Sequence, residues 1–355
     1  MQKIPVAILG ATGVVGQKLI ELLLNHPWFE IKILAASKRS VGKSFIEAAR
    51  NPIDFDLPQS LANIKIAPCD FEDEIPLVFS ALDSSVAAEI ESYFLRKGVH
   101  VISNAKNFRM QKDVPLLIPE VNPEHLNLIE CQNDPGKIIT NPNCAVAGLA
   151  TALKPIQDSF GLKRVVVTTM QALSGAGYNG PSAYAALDNI MPHIQGEEEK
   201  VEREPKKILA LLSENQIFPL DCKISAQCNR VPVLNGHFMS VSVELEKPAT
   251  HSEILSSFDR FNTNAQKLPS SPKNTLTYFD NLNMPQPKLH QNIDKGMSVS
   301  IGKLRKCPCL DFKFNVLVNN LIRGAAGGAI LNAELLASKH PQLFTAASAN
   351  LKEFV

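Results

Sequence analysis

Asn141-Pro142-Asn143-Cys144-Ala145 is the stretch of this chain most clearly built for chemistry. It follows a strand-like run ending at Thr140 and opens the small-residue run Ala145 to Leu153, so Cys144 stands at the start of a helix. The positive end of a helix dipole lowers a thiol's pKa and populates the nucleophilic thiolate. A backbone amide there, together with the Asn143 side chain, is placed to stabilise an oxyanion. Thiol chemistry also needs a proton carrier, and the chain has eight histidines. His237 follows Asn235-Gly236 and leads into the alternating run from Phe238, which would hold its ring at the mouth of a strand. Arg230 lies seven residues earlier, in Cys228-Asn229-Arg230-Val231-Pro232. Spacing alone does not decide whether Arg230 and His237 share a face, because Pro232 and Gly236 interrupt the run.

A second constellation lies at the other end of the chain. Gly10-Ala11-Thr12-Gly13-Val14-Val15-Gly16 follows the first apolar run and opens the first helical pattern. Glycines there let the backbone turn tightly and approach a pyrophosphate, which the helix N-terminus attracts. The spacing is Gly-x-x-Gly-x-x-Gly rather than Gly-x-Gly-x-x-Gly, so its place directly after a strand carries the argument. A dinucleotide without a 2′-phosphate calls for a carboxylate at the end of the second strand. Here that strand ends Ala35-Ala36-Ser37-Lys38-Arg39-Ser40, with two cations and no carboxylate. Arg39, with the hydroxyls of Ser37 and Ser40, suits a 2′-phosphate, so the cofactor indicated is NADP.

The elements that must position these groups follow from periodicity. Ile4 to Leu9, Ile31 to Ala36, Leu77 to Ala81 and Val99 to Ser103 read as strands, and Gln17 to Leu24 and Ser85 to Lys97 as helices. Such alternation implies a parallel sheet with helices on both faces. After Cys144 the pattern changes. Leu162 to Leu173, Phe238 to Leu245 and Leu310 to Leu317 read as strands, Pro181 to Ile190 as a helix, and Ala329 to Leu336 as a further helix. Leu268 to Leu289, rich in Pro, Asn and Ser, reads as an exposed excursion. The fold class is therefore α/β, with an N-terminal Rossmann-type parallel sheet and a mixed α+β catalytic and dimerisation domain. The domain limits drawn are 1–143 for the first, completed by a C-terminal helix at 321–355, and 144–320 for the second.

Composition excludes several classes. The chain has 355 residues, 45% apolar and 20% charged, with a formal net charge of +1. That is a globular balance too long for one ordinary core, with no field favouring nucleic acid. Apolar runs are interrupted well short of a membrane span, and the N-terminus shows no secretory pattern. Seven cysteines at irregular spacings argue against a disulfide framework and for a reduced, cytoplasmic protein. Cys307-Pro308-Cys309 has no matching pair nearby, so no metal is expected, and the two thiols read as the start of a strand.

Six motifs occur in order along the chain: Gly10 to Gly16, Asn141 to Cys144, Gln171-Ala-Leu-Ser174-Gly175-Ala-Gly177, Gly196-Glu197-Glu-Glu-Lys200, Asn229-Arg230-Val-Pro with Gly236-His237, and Asn320-Leu-Ile-Arg-Gly-Ala-Ala-Gly327. In this the chain resembles the aspartate-semialdehyde dehydrogenases, especially the branch found in archaea and fungi. The resemblance implies that Cys144 is the nucleophile and His237 the general acid/base, with Gln171 positioning the substrate and Asn143 beside it. It implies that Arg230 binds the substrate carboxylate and Glu197 its amino group. Arg109, in Asn104-Ala-Lys-Asn-Phe-Arg109, and Lys200 would hold the phosphate, with Asn104 among the substrate-binding residues. Ser174 and Gly175 would line the cofactor and Asn320 would meet the nicotinamide amide.

The implied reaction is NADPH-dependent reductive dephosphorylation of L-aspartyl 4-phosphate to L-aspartate 4-semialdehyde through a cysteine thioacyl intermediate, on the route to lysine, methionine and threonine. A homodimer or homotetramer is implied as well. Two rivals are a malonyl-coenzyme-A reductase on the same scaffold, which would lack use for a phosphate clamp, and a non-catalytic NADP-binding sensor, which would not need Cys144, Arg230 and His237 together. N-acetylglutamyl-phosphate reductase matches these motifs less well. Ala145 stands where some relatives have Ser or Thr, and Asp83 where many have Pro; only the loop shape at Asp83 is put in doubt.

Arg39→Asp should impair use of NADPH far more than use of NADH, because attraction to the 2′-phosphate becomes repulsion. The comparison is kcat/KM with each cofactor, and an equal loss with both would remove Arg39 from cofactor reading.

Overall fold

The computed structural model describes residues 3–49, 53–264 and 268–344. The chain separates into two compact units, Met1–Pro115 with His125–Asn141 and Ala329–Val355, and Leu116–Glu124 with Pro142–Gly328. The limits drawn from sequence put residues 116–124 in the first unit. They belong to the second because Leu116, Ile118 and Val121 are buried in its core. The second unit also keeps residues 321–328, and only from Ala329 does the chain rejoin the first. Of the C-terminal helix drawn at 321–355, residues 345–355 lie outside the described residues.

The first unit is built on β1 (Ile4–Leu9), β2 (Phe29–Ala35), β3 (Leu77–Ser80), β4 (His100–Ser103) and β5 (Ile138–Thr140), in the order β2-β1-β3-β4-β5. Every pairing is parallel. β3 and β4 are buried along their length and β1 at all but Pro5, as a sheet covered on both faces requires. Helix Ser84–Arg96 crosses from β3 to β4, and Asp83 caps it by accepting from the Ser85 backbone N–H at 2.9 Å. That gives Asp83 a local, structural role. The last helix, Gly327–Lys339, is fastened to this unit by Glu334, whose carboxylate lies 2.7 Å from His26 Nε2.

The first helix, Val14–Leu23, starts within the glycine stretch, with Gly13 as its N-cap and Gly16 in its first turn. Gly10 takes a φ of 78°, in the region side chains avoid. Gly16 is needed for a different reason. A Cβ there would lie 2.2 Å from the Gly10 carbonyl oxygen, so helix and strand could not approach this closely.

The second unit carries β6 (Leu162–Gln171), β7 (Leu211–Ser213), β8 (Gln216–Phe218), β9 (Lys223–Arg230), β10 (His237–Leu245), β11 (Leu276–Phe279), β12 (Val299–Lys306) and β13 (Phe312–Val318). Six of these form a mixed sheet in the order β11-β12-β13-β10-β6-β9, and β7 pairs with β8 apart from it. The helix Cys144–Phe160 packs its apolar residues into the core with β10 and β13.

Three sequence expectations change. The helix drawn at Pro181 to Ile190 is a single turn, Ala183–Ala186, because Leu187 turns extended and Asp188 takes a φ of 55°. The excursion at Leu268 to Leu289 contains β11, whose Leu276 is buried. Its Pro- and Asn-rich flanks hid a four-residue edge strand. Cys307 and Cys309 sit in the turn between β12 and β13 rather than in a strand, and among the described residues no cluster of three metal-ligand side chains occurs.

Gly16→Ala should lower the free energy of unfolding by about 1–3 kcal/mol through overpacking. Gly13→Ala, whose Cβ would meet Gly10 O only at 3.4 Å, should lower it much less. Denaturant unfolding of the two variants checks this, and equal losses would refute the close-approach account of Gly16.

Candidate active site

One end of the second sheet gathers most of the expected groups. β6 and β9 run parallel, and their registered ends are Gln171 and Arg230. β10 runs antiparallel to β6, so its first residue, His237, lies at that same end. β13 is antiparallel to β10 and pairs Val318 with His237, which brings Asn320 there just beyond its end. The helix Cys144–Phe160 points its N-terminus at this cluster. Arg230 and His237 therefore stand on strands that flank β6, a relation that spacing along the chain does not reveal.

Cys144 Sγ lies 3.1 Å from His237 Nε2. His237 is fully buried, and its other nitrogen, Nδ1, accepts the Ala172 backbone N–H at 3.0 Å. An N–H aimed at Nδ1 leaves the ring proton on Nε2, so the neutral ring directs a donor at the sulfur. Burial pulls the ring's pKa down to about 3; Glu197 opposes the shift and Arg230 reinforces it. The Ala172 carbonyl in turn accepts Arg230 Nη1 at 2.8 Å. One buried peptide residue thus orients both side chains. Gly175 stands against the same pair, since a Cβ there would lie 2.9 Å from both Arg230 Nη1 and His237 Cε1.

Asn143 caps the helix that begins at Cys144. Its Oδ1 accepts the backbone N–H groups of Ala145 at 3.0 Å and Val146 at 3.2 Å. Such a cap stabilises a helix by about 1 kcal/mol. Its Nδ2 donates to Glu197 Oε1 at 2.8 Å. Both ends of this side chain are engaged, a positioning role beyond the oxyanion contact read from sequence. Glu197 Oε1 also accepts Gln171 Nε2 at 2.9 Å, and Lys200 pairs with its other oxygen. Burial pushes the Glu197 carboxyl up, but Lys200 and the Gln171 and Asn143 amides outweigh it and hold the pKa at about 2. Without a family resemblance, Glu197 to Lys200 would read as a solvated face, yet Glu197 is buried.

Asn320 is buried and engaged at both ends. Its Oδ1 accepts the Gly236 N–H at 2.8 Å, and its Nδ2 donates to Ser174 Oγ at 2.9 Å. It thereby fixes the turn that precedes His237. Two further positions went unnoticed in the sequence. Ala172 acts only through its backbone, which no side-chain pattern signals. Gly324 lies where a Cβ would come within 2.7 Å of Cys144 Cβ, and the motif Asn320 to Gly327 was its one trace.

The remaining expected residues belong to the first unit. Gly13 is the N-cap of Val14–Leu23, with no side-chain cap and no acidic residue in the first turn. Thr12, Val14 and Val15 are half-buried around that turn. Ser37 and Arg39 are exposed just past β2, while Ser40 is buried. Arg109 is buried and its Nη2 donates to the Asn104 carbonyl at 2.7 Å; the Asn104 side chain donates to Ser80 O at 3.1 Å.

A dinucleotide-type parallel sheet and a mixed unit holding a half-buried cysteine against a buried histidine define a class, the thiol-dependent dehydrogenases. Comparison with known proteins makes this specific. The family model described as "Semialdehyde dehydrogenase, NAD binding domain" matches residues 5–129, and "Semialdehyde dehydrogenase, dimerisation domain" matches residues 153–323. The chain is 45% identical over 336 residues to the aspartate-semialdehyde dehydrogenase of Archaeoglobus fulgidus, covering 93% of this chain and 97% of that protein. It is 43% identical to that of Saccharomyces cerevisiae, covering 94% of this chain and 97% of that protein. Among solved structures, the aspartate-semialdehyde dehydrogenase of Candida albicans with NADP aligns with a TM-score of 0.86 at 39% identity, covering 96% of this chain and all of that one. The chain belongs to the semialdehyde dehydrogenase family.

A histidine ring whose pKa is pulled to about 3 is neutral at every pH well above that value. His237 should therefore not titrate between about pH 5 and 8. Iodoacetamide labelling of Cys144 should rise with pH through a single ionisation, that of the thiol. A reactive plateau on the acid side, lost in His237→Asn, would show an imidazolium–thiolate pair and overturn the neutral-ring assignment.

Proposed function

We propose that this chain uses NADPH to convert L-aspartyl 4-phosphate into L-aspartate 4-semialdehyde and phosphate, with Cys144 as nucleophile. The observation that carries the proposal is the Cys144–His237 contact of 3.1 Å at a capped helix N-terminus. The relatives named above support the substrate.

The first unit suits the cofactor. Gly13 caps its helix without a side chain, leaving the first-turn amides to a pyrophosphate, and a Cβ at Gly16 would close the turn. The exposed Arg39, with Ser37 beside it and no carboxylate at the end of β2, suits a 2′-phosphate. NADPH supplies the hydride that an acyl carbon accepts.

The chain's own residues do the rest. The Cys144 thiolate attacks the acyl carbon; the carbon–oxygen bond to phosphate breaks, and a thioester remains on Cys144. When that carbon is reduced, the carbon–sulfur bond breaks and the thiolate returns. His237 Nε2–H hydrogen-bonds the sulfur while it carries charge. Arg230, a planar fork held by Ala172 O, binds the substrate carboxylate, and Glu197 receives the ammonium. Gln171 and Asn143 orient the reacting acyl group, Arg109 and Lys200 serve the phosphate with Asn104 beside Arg109 in the substrate set, and Ser174, Gly175 and Asn320 serve the nicotinamide end.

A homodimer or homotetramer is part of the proposal. Tyr184, Leu187 and Ile190, and in the same unit Leu211 and Phe218, leave large apolar side chains exposed. The matching family model is itself described as a dimerisation domain. A cytoplasmic location is proposed from the seven free cysteines. No helix among the described residues is long and apolar enough to cross a membrane.

The test is phosphate-dependent reduction of NADP with aspartate semialdehyde, beside malonyl-coenzyme A with NADPH. Activity is expected in the first assay, and Cys144→Ser should lower its turnover by at least about a thousandfold while leaving NADP affinity intact. Activity in the second assay alone would overturn the substrate.

A further inference from the structure

The acidic helix Glu197–Ile208 carries more carboxylates than the proposed chemistry uses. Glu198 and Glu202 accept the backbone N–H groups of Cys228 at 3.1 Å and Ala226 at 3.0 Å, and so cover the open edge of β9. Glu199 pairs with Arg203 on the exposed face. Glu204 is different. It is 2% exposed, and it lies on the inner face in the series Glu197, Val201, Glu204 and Ile208, at helical spacing. Val201 and Ile208 on either side of it belong to the apolar core.

An apolar residue would fill that position at less cost. Burying a carboxylate is unfavourable unless hydrogen bonds to it compensate. Glu204 Oε2 accepts the backbone N–H of Asn143 at 2.7 Å, a short, charge-assisted contact. Asn143 is the residue immediately before Cys144 and the cap of its helix. Its side chain is already held by Glu197, seven residues before Glu204 on the same helix face. Two carboxylates two turns apart therefore grip the same residue, one by its side chain and one by its backbone.

We infer that Glu204 is a positioning residue for the nucleophile. Through the Asn143 N–H it sets the main chain that presents Cys144 to His237. The inference rests on Cys144 being the nucleophile, as proposed above. Displacement of that main chain would move the sulfur from the His237 donor and the helix end, so less of it would be thiolate at neutral pH.

The charge of Glu204 acts in the opposite sense, since a nearby carboxylate disfavours a thiolate. Two variants separate position from charge. Glu204→Asp keeps the charge but withdraws the carboxylate by one methylene. Glu204→Gln keeps the reach and an oxygen acceptor but loses the charge. The readouts are the pH profile of Cys144 alkylation by iodoacetamide, and kcat and KM for aspartate semialdehyde, each corrected for folded protein by thermal unfolding. Glu204→Asp should shift the alkylation profile to higher pH and lower kcat by roughly ten- to a hundredfold, with KM little changed. Glu204→Gln should alkylate at least as readily as the parent and keep most of kcat. Parent-like alkylation and turnover in Glu204→Asp, or a defect in Glu204→Gln as large as in Glu204→Asp, would overturn the inference. Alkylation needs no substrate, so failure of the aspartate semialdehyde assay would count against the proposed reaction and not against Glu204.

Discussion

The whole second unit answers to one contact, the 3.1 Å approach of Cys144 Sγ to a histidine that is buried and neutral. A neutral imidazole offers the sulfur a hydrogen bond but no full positive charge. Its Nδ1 faces the Ala172 N–H, so a second proton has nowhere favourable to go. The sulfur's charge must then be stabilised by groups of fixed sign: the helix N-terminus and the nearby Arg230 guanidinium. Each is useful only if held in place, and much of the surrounding hydrogen bonding does that holding.

The sheet supplies the first level of placement. Parallel β6 and β9 end together, while antiparallel β10 begins and β13 ends at the same edge, so four strands deliver side chains to one spot. The backbone of Ala172 then refines two of them at once, taking Arg230 on its carbonyl and His237 on its amide. Groups fixed by main chain lose little entropy on reaching the reactive geometry. Gly324 completes the arrangement from the other side, where any side chain would press on Cys144.

The acidic helix Glu197–Ile208 works on several faces. One face seals the edge of β9 through Glu198 and Glu202. The inner face carries Val201 and Ile208 into the core and sets Glu197 against Asn143 and Gln171. The edge of the sheet and the cap of the helix that begins at Cys144 are thereby held by the same acidic helix. The consequence is buried charge, tolerated because Glu197 accepts from the Asn143 and Gln171 amides and pairs with the Lys200 ammonium.

Much was legible in the sequence because it is local. The strand–helix alternation of the first unit, the glycine turn after β1, and a helix starting at Cys144 with Asn143 as its cap depend on neighbours within a few residues. Their signals are periodicity, turn chemistry and capping, which read directly from the order of residues. The roles expected of Arg230 and His237 rest on resemblance, since their seven-residue separation is silent about strands that meet only across β6. Edge strand β11 was lost among prolines and asparagines. The helix at Pro181 to Ile190 was overdrawn because composition there does not show that Asp188 takes a left-handed turn. Ala172 was invisible because its contribution is entirely backbone, and Glu197 looked solvated because helical spacing tells which residues share a face but not whether that face meets water or another chain segment. Sequence alone determined the local elements with strong periodicity or caps and the candidate side chains; only tertiary structure decided which nitrogen of His237 faces the sulfur, because that depends on an N–H brought from a residue 65 positions away.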